Sequence, residues 1–197
     1  GRFISVIQQK TRTNGDKMNR TFLFFSIILF LNETLTAGEG NQAPMTISST
    51  GNLNLTQTQL DNWQQGGENT FAWQAGFLTD IYYQSNKLTH NYLLKFTYGK
   101  SSVGELEARK SIDEIKFSGV ITMFSERLAN PYVAFTAETQ FSKGYDYGDE
   151  ITVVSNFLDP GYFTESVGIG YESDFGISSR AGLALKQTIT DKYPVPY

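Results

Sequence analysis

Residues 71–83 read Phe-Ala-Trp-Gln-Ala-Gly-Phe-Leu-Thr-Asp-Ile-Tyr-Tyr. The odd positions Phe71, Trp73, Ala75, Phe77, Thr79, Ile81 and Tyr83 make an almost wholly apolar row, whereas Gln74, Gly76, Asp80 and Gln84 fall on the even side. Successive side chains of a strand point to opposite faces, so the pattern predicts a strand with one greasy face and one wet face. The next run has the opposite phase: Leu88, Tyr92, Leu94, Phe96 and Tyr98 oppose Thr89, Asn91, Lys95 and Thr97. Aromatic residues stand at both ends of these rows, where a bilayer has its two interfaces.

Working outward from this pair, period-two patterning predicts strands near residues 46–57, 70–83, 87–99, 113–124, 132–141, 161–172 and 176–187. Ile115, Phe117, Ile121 and Met123 oppose Lys116, Ser118 and Thr122. Val133, Phe135 and Ala137 oppose Thr136, Glu138 and Gln140. Phe163, Val167, Ile169 and Tyr171 oppose Thr164, Ser166, Gly168 and Gly170, and Ala181, Leu183 and Leu185 oppose Arg180 and Lys186. Most of these runs reach the ~9–11 residues that a tilted strand needs to cross a hydrocarbon core, against the ~5–6 of an average soluble strand. The links 84–86, 125–131 and 173–175 read as short, and 58–69, 100–112 and 142–160 as long and polar. Short periplasmic turns alternating with long outer loops are the layout of an outer-membrane barrel.

The expected fold is therefore all-β, an antiparallel up-and-down transmembrane β-barrel. Seven strands fall short of the even counts from 8 upward of single-chain bacterial barrels, and the final Tyr193-Pro194-Val195-Pro196-Tyr197 opposes a central strand. The expectation is a barrel truncated at its C-terminus. Before the strands, Met18-Asn19-Arg20 precede an apolar run, Phe22–Leu31, and the small pair Ala37-Gly38. A basic start, a short apolar core and a small residue at the cut make 18–37 read as a signal peptide. Residues 1–17 read as upstream translation and 38–197 as a partial outer-membrane β-barrel domain. The implied location is the outer membrane of a Gram-negative cell, reached through the periplasm.

A net charge of -4 and the lack of a basic stripe argue against a nucleic-acid partner. The chain has no cysteine, so thiolate metal sites, disulfides and cysteine nucleophiles do not arise. Its one histidine, His90, shares parity with Leu88 and Tyr92 and would face lipid, a poor place for a general base. Glu165 also falls on the apolar parity of its strand, so a bulge after Gly161 or a position outside the bilayer is expected. No catalytic residue, metal ligand or cofactor is assigned.

Between the strands stand Trp63-Gln64-Gln65-Gly66-Gly67-Glu68-Asn69, Arg109-Lys110-Ser111-Ile112-Asp113, Thr139-Gln140-Phe141-Ser142-Lys143-Gly144-Tyr145-Asp146-Tyr147 and Phe157-Leu158-Asp159-Pro160-Gly161-Tyr162. In this order they resemble a family of Bacteroidetes-type secreted proteins catalogued as a domain of unknown function, DUF3078. The resemblance spans roughly residues 50–190 and implies an outer-membrane barrel; it brings no activity and no functional residue.

The residues themselves offer outer-loop contacts. Trp63 could stack on a sugar with Glu68 and Asn69 as polar partners, or the Gly66-Gly67 bend and Glu68-Asn69 could simply anchor their loop. Tyr145, Asp146 and Tyr147 form a second candidate contact; the nearby Asp149 and Glu150 lack the spacing of a helix-loop-helix calcium site. The functional expectation is a non-enzymatic outer-membrane barrel in transport, adhesion or envelope structure, with outer-membrane lipid as partner and glycan or a small solute as ligand. The alternatives are a secreted soluble β-sandwich that binds glycan, and a barrel-embedded hydrolase.

Overall fold

The computed structural model describes residues 3–9, 23–37, 45–60, 67–85, 87–123, 129–172 and 178–193, with backbone alone for 3–9, 23–37, 172 and 178. The described chain is all strand and loop. Its strands are β1 (Phe3–Gln9), β2 (Leu23–Ala37), β3 (Met45–Gln59), β4 (Thr70–Gln84), β5 (Leu88–Val103), β6 (Arg109–Met123), β7 (Asn130–Thr139), β8 (Gly144–Tyr147), β9 (Ile151–Ser155), β10 (Gly161–Glu172) and β11 (Ser178–Ile189).

Nine of them form one antiparallel up-and-down sheet in the order β1-β2-β3-β4-β5-β6-β7-β10-β11, and β8-β9 form a separate hairpin. The order contains no Greek-key crossing, and the large sheet is not closed.

The seven strands expected from periodicity correspond to β3–β7, β10 and β11. Two features differ from the sequence reading. First, β5 and β6 run on through the expected long link 100–112, leaving only 104–108 between them. That link is no longer than 124–129, so long and short connections do not alternate strictly. Second, the stretch 142–160 contains the β8-β9 hairpin. Leu23–Ala37, within the segment read as a signal peptide, forms β2, with Phe3 of β1 opposite Phe30 and Gln9 opposite Phe24.

The chain divides into two compact units: Gly1–Asn32, Thr50–Phe77 and Thr97–Asp113 form one, and Glu33–Ser49, Leu78–Phe96 and Glu114–Tyr197 the other. In the first, Trp73 and Tyr98 meet with ring centroids 5.8 Å apart, while Thr97, of opposite parity to Tyr98, is only 5% exposed.

In the second unit the two faces are chemically distinct. Val133, Phe135, Val167, Ile169, Leu183 and Leu185, all of one parity, are exposed. Rings form a chain along this face: Tyr83 to His90 at 5.6 Å, His90 to Tyr92 within β5 at 6.1 Å, then across strands Tyr92 to Phe117 at 6.2 Å, Phe117 to Phe135 at 6.5 Å and Phe135 to Phe163 at 6.3 Å. Polar groups within these rows satisfy one another. The Ser49 and Thr79 hydroxyls share a hydrogen bond of 3.0 Å, and Gln187 Nε2 donates to Glu165 Oε2 at 3.1 Å.

Glu165 does keep the apolar parity. Its strand pairs without interruption from Gly161 opposite Ile189 to Glu172 opposite Ser178, so no bulge after Gly161 turns it inward.

The opposite face is ionic and aromatic. Lys95 Nζ lies 2.7 Å from Glu114 Oε2 and Lys116 Nζ 3.2 Å from Glu138 Oε2. Lys186 stands over the Tyr162 ring at 5.4 Å. Gly168 pairs with Tyr132 on one side and Gly182 on the other. A Cβ on Gly168 would come within 2.9 Å of Tyr132 Cε1, and one on Gly182 within 2.7 Å of its hydroxyl. Tyr132 therefore lies across two strand neighbours that carry no side chain.

Candidate functional site

The expected contacts Glu68 and Asn69 lie at the start of β4; Trp63 lies outside the described residues. Asn69 Oδ1 accepts the Leu60 amide at 2.7 Å, which closes the loop between β3 and β4 across its neck. Its carbonyl accepts the Gly104 amide at 2.7 Å, tying that loop to the one after β5. Gly104 has φ 61°, a left-handed value that glycine takes without steric cost. Glu68 packs on it: a Cβ there would stand 2.8 Å from Glu68 Oε2.

Glu68 and Asn69 thus hold the rim of an open concavity with Leu60, Val103 and Leu106. Val103 and Leu106 are exposed there, so the rim offers apolar surface beside a carboxylate. In the same unit Lys110 Nζ meets Asp113 Oδ2 at 2.9 Å, so the Arg109-Lys110 cluster neutralises at least one of its cations internally.

In the other unit, Tyr145, Asp146 and Tyr147 form β8. They pair with Val153, Thr152 and Ile151 after a register shift between Gly144 and Tyr145. Alternation places Tyr145 and Tyr147 on one face, their rings 6.2 Å apart and tilted by 49°, and Asp146 on the other. All three are exposed, as is Ile151. The hairpin presents two aromatic rings to water, while the acid points away from them.

The hairpin is set on a polar base drawn largely from the Thr139-Gln140 and Phe157–Tyr162 clusters, whose anchoring role the sequence reading did not assign. Asn156 and Asp159 exchange both backbone hydrogen bonds, at 2.8 and 3.1 Å, across a tight turn in which Leu158 has φ 56°. Thr139 Oγ1 accepts the Leu158 amide at 2.9 Å and donates to the Pro160 carbonyl at 3.3 Å, and Gln140 Nε2 donates to the Asn156 carbonyl at 3.0 Å.

Asp159, 8% exposed, accepts the Asp191 and Lys192 amides at 2.9 Å each and the Tyr193 amide at 3.4 Å. Burial by itself pushes this carboxyl up, but the three amides and the Lys192 ammonium outweigh it and hold it below the ordinary carboxylate value. The signal for this role is the Asp-Pro turn; the partners lie more than thirty residues away and leave no local trace.

Residues 55–145 match the model of a family described as a protein of unknown function, DUF3078. The match takes in Glu68, Asn69, Gly104, Thr139 and Gln140, so the loop anchors lie inside it, and it ends at Tyr145. No curated protein and no solved structure matches the chain.

Proposed function

We propose that this chain is an outer-membrane β-barrel protein of a Bacteroidetes-type Gram-negative cell. In this reading it is exported behind the 18–37 signal and is non-enzymatic, serving the passage or capture of a small solute or glycan at the cell surface. The observation that carries the reading is the inversion of its faces. Large apolar side chains such as Val167 (58% exposed) and Ile169 (55%) stand exposed on one face of paired strands, while lysine–carboxylate pairs occupy the opposite face.

A water-soluble sheet buries such rows, and rows this extensive mark contact with lipid or with another protein. The lengths of β3 to β6, from Met45–Gln59 to Arg109–Met123, exceed what a hydrocarbon core needs. Their surplus extends the sheet beyond it. The aromatic hairpin β8-β9 is the part best suited to contact glycan.

The test is a reporter that senses its phase. A nitroxide or fluorophore at Phe77 or Leu94 is expected to be quenched from within lipid, and one at Gln74 or Thr97 only from water. Absence of lipid-phase quenching at every position would remove the barrel and leave a soluble protein. Tags in 60–69, 104–108 and 140–160 are expected to be accessible on intact cells, and one at Ser85 to be protected.

A further inference from the structure

On the polar face of the second unit, near the ends of β4 to β7 that join by short turns, lies a hollow of about 250 Å³. At ~30 Å³ per liquid water, that is room for about eight waters or a small organic ion. Its walls include Tyr82, Thr89, Asn91, Asn130, Tyr132 and Arg180, and among the described residues its lining holds one cation and no carboxylate.

Arg180 sits against an aromatic ring, as Lys186 does over Tyr162 elsewhere on this face. Lys95 and Lys116 on this face are neutralised by Glu114 and Glu138, whereas the Arg180 guanidinium stands 5.6 Å above the Tyr132 ring. That ring lies where it does because Gly168 and Gly182 lack side chains. An aromatic face attracts the cation without using its in-plane N–H donors. The fork thus remains able to take a carboxylate or phosphate in a bidentate, charge-assisted manner, and the Asn91 amide and Thr89 hydroxyl of β5 line the same hollow as further donors.

We propose that this hollow is an anion subsite for small carboxylate- or phosphate-bearing solutes, with Arg180 as its cation. The proposal rests on the barrel reading only in taking the polar face for the lumen.

The test uses the full chain refolded in non-ionic detergent, with citrate as probe and maltose as the uncharged control, followed by calorimetry. Citrate is expected to bind and maltose not. Arg180→Gln should weaken citrate at least tenfold, Arg180→Lys should weaken it less, and Asn91→Ala about threefold. Lys143→Gln, which removes an exposed loop cation, should change nothing.

Heat-shifted gel mobility checks that each variant is folded. No citrate binding by the folded wild type, or equal binding by folded Arg180→Gln, overturns the subsite. Citrate binding that depends on Arg180, combined with no lipid-phase quenching at Phe77 or Leu94, would instead retire the barrel and keep the subsite.

Discussion

Val167→Arg separates a bilayer from water as the medium around the apolar rows. Val167 lies between Val133 and Leu183 in unbroken register and is 58% exposed. On the same face of β10 it is four residues from Phe163 and four from Tyr171. Four residues at ~3.3 Å each span about 13 Å of strand, or roughly 9 Å of depth at a ~45° tilt. If those two aromatics mark the interfaces, Val167 sits at the midplane, where arginine costs about 2–4 kcal/mol in a barrel. At ~1.4 kcal/mol per factor of ten, the folding equilibrium falls by roughly thirty-fold to several hundred-fold.

In water the same exposed position would tolerate the change within about 0.5 kcal/mol. Ser166→Arg, on the polar face between Ala134 and Ala184, is the control and is expected to cost under ~1 kcal/mol. Reversible urea unfolding in phospholipid vesicles, followed by tryptophan fluorescence, measures both. A cost below about 0.5 kcal/mol for Val167→Arg, or a larger cost for Ser166→Arg, refutes the assignment of the faces.

Asp159 is expected to confer a pH dependence on the region after β11. Its folded pKa is depressed, so its contribution is present above the unfolded carboxylate value of ~3.9 and is lost as pH falls through the folded value. Amide exchange at residues 191–193 should accelerate there in the wild type and be fast at all pH values in Asp159→Asn. Asn69→Ala should cost about 1 kcal/mol and make 60–69 more susceptible to limited proteolysis, because it removes the side-chain acceptor of the Leu60 amide, while 104–108, held by the Asn69 backbone carbonyl, should change little. Gly104→Ala should cost about 1–2 kcal/mol through its left-handed φ, readable as a lower urea midpoint. Gly182→Val should cost about 1–3 kcal/mol by driving methyl groups into the Tyr132 hydroxyl, and Tyr132→Ala should relieve part of it in a double-mutant cycle.

Strands with an apolar row were legible in the sequence because parity is a property of consecutive residues. Phe71 to Tyr83 announces β4, and Val133-Phe135 and Val167-Ile169 announce β7 and β10. The upper ends of β5 and β6 were not legible. Lys100, Ser101, Ser102, Lys110 and Ser111 carry no apolar row, and there the strands are sustained by backbone pairing rather than by side-chain partition. The β8-β9 hairpin is too short for periodicity to rise above an acidic loop. Of the site, the anchoring role of Asn69 followed from residue type and position. The grip of Asp159 on residues 191–193 and the aromatic seat of Arg180 join residues far apart in sequence, and only the register brings them together.

The Tyr132–Gly168–Gly182 row also discriminates among alignments as the strands zip together. A slip of β10 against β11 by one residue reverses every face and is penalised by the apolar rows alone. A slip by two residues keeps the faces and evades that penalty. It would, however, place Arg180 or Ala184 opposite Gly168, where the Tyr132 ring needs an empty neighbour. The paired glycines therefore act as a keyway for the tyrosine, rejecting the even-numbered misalignments that hydrophobic patterning cannot detect.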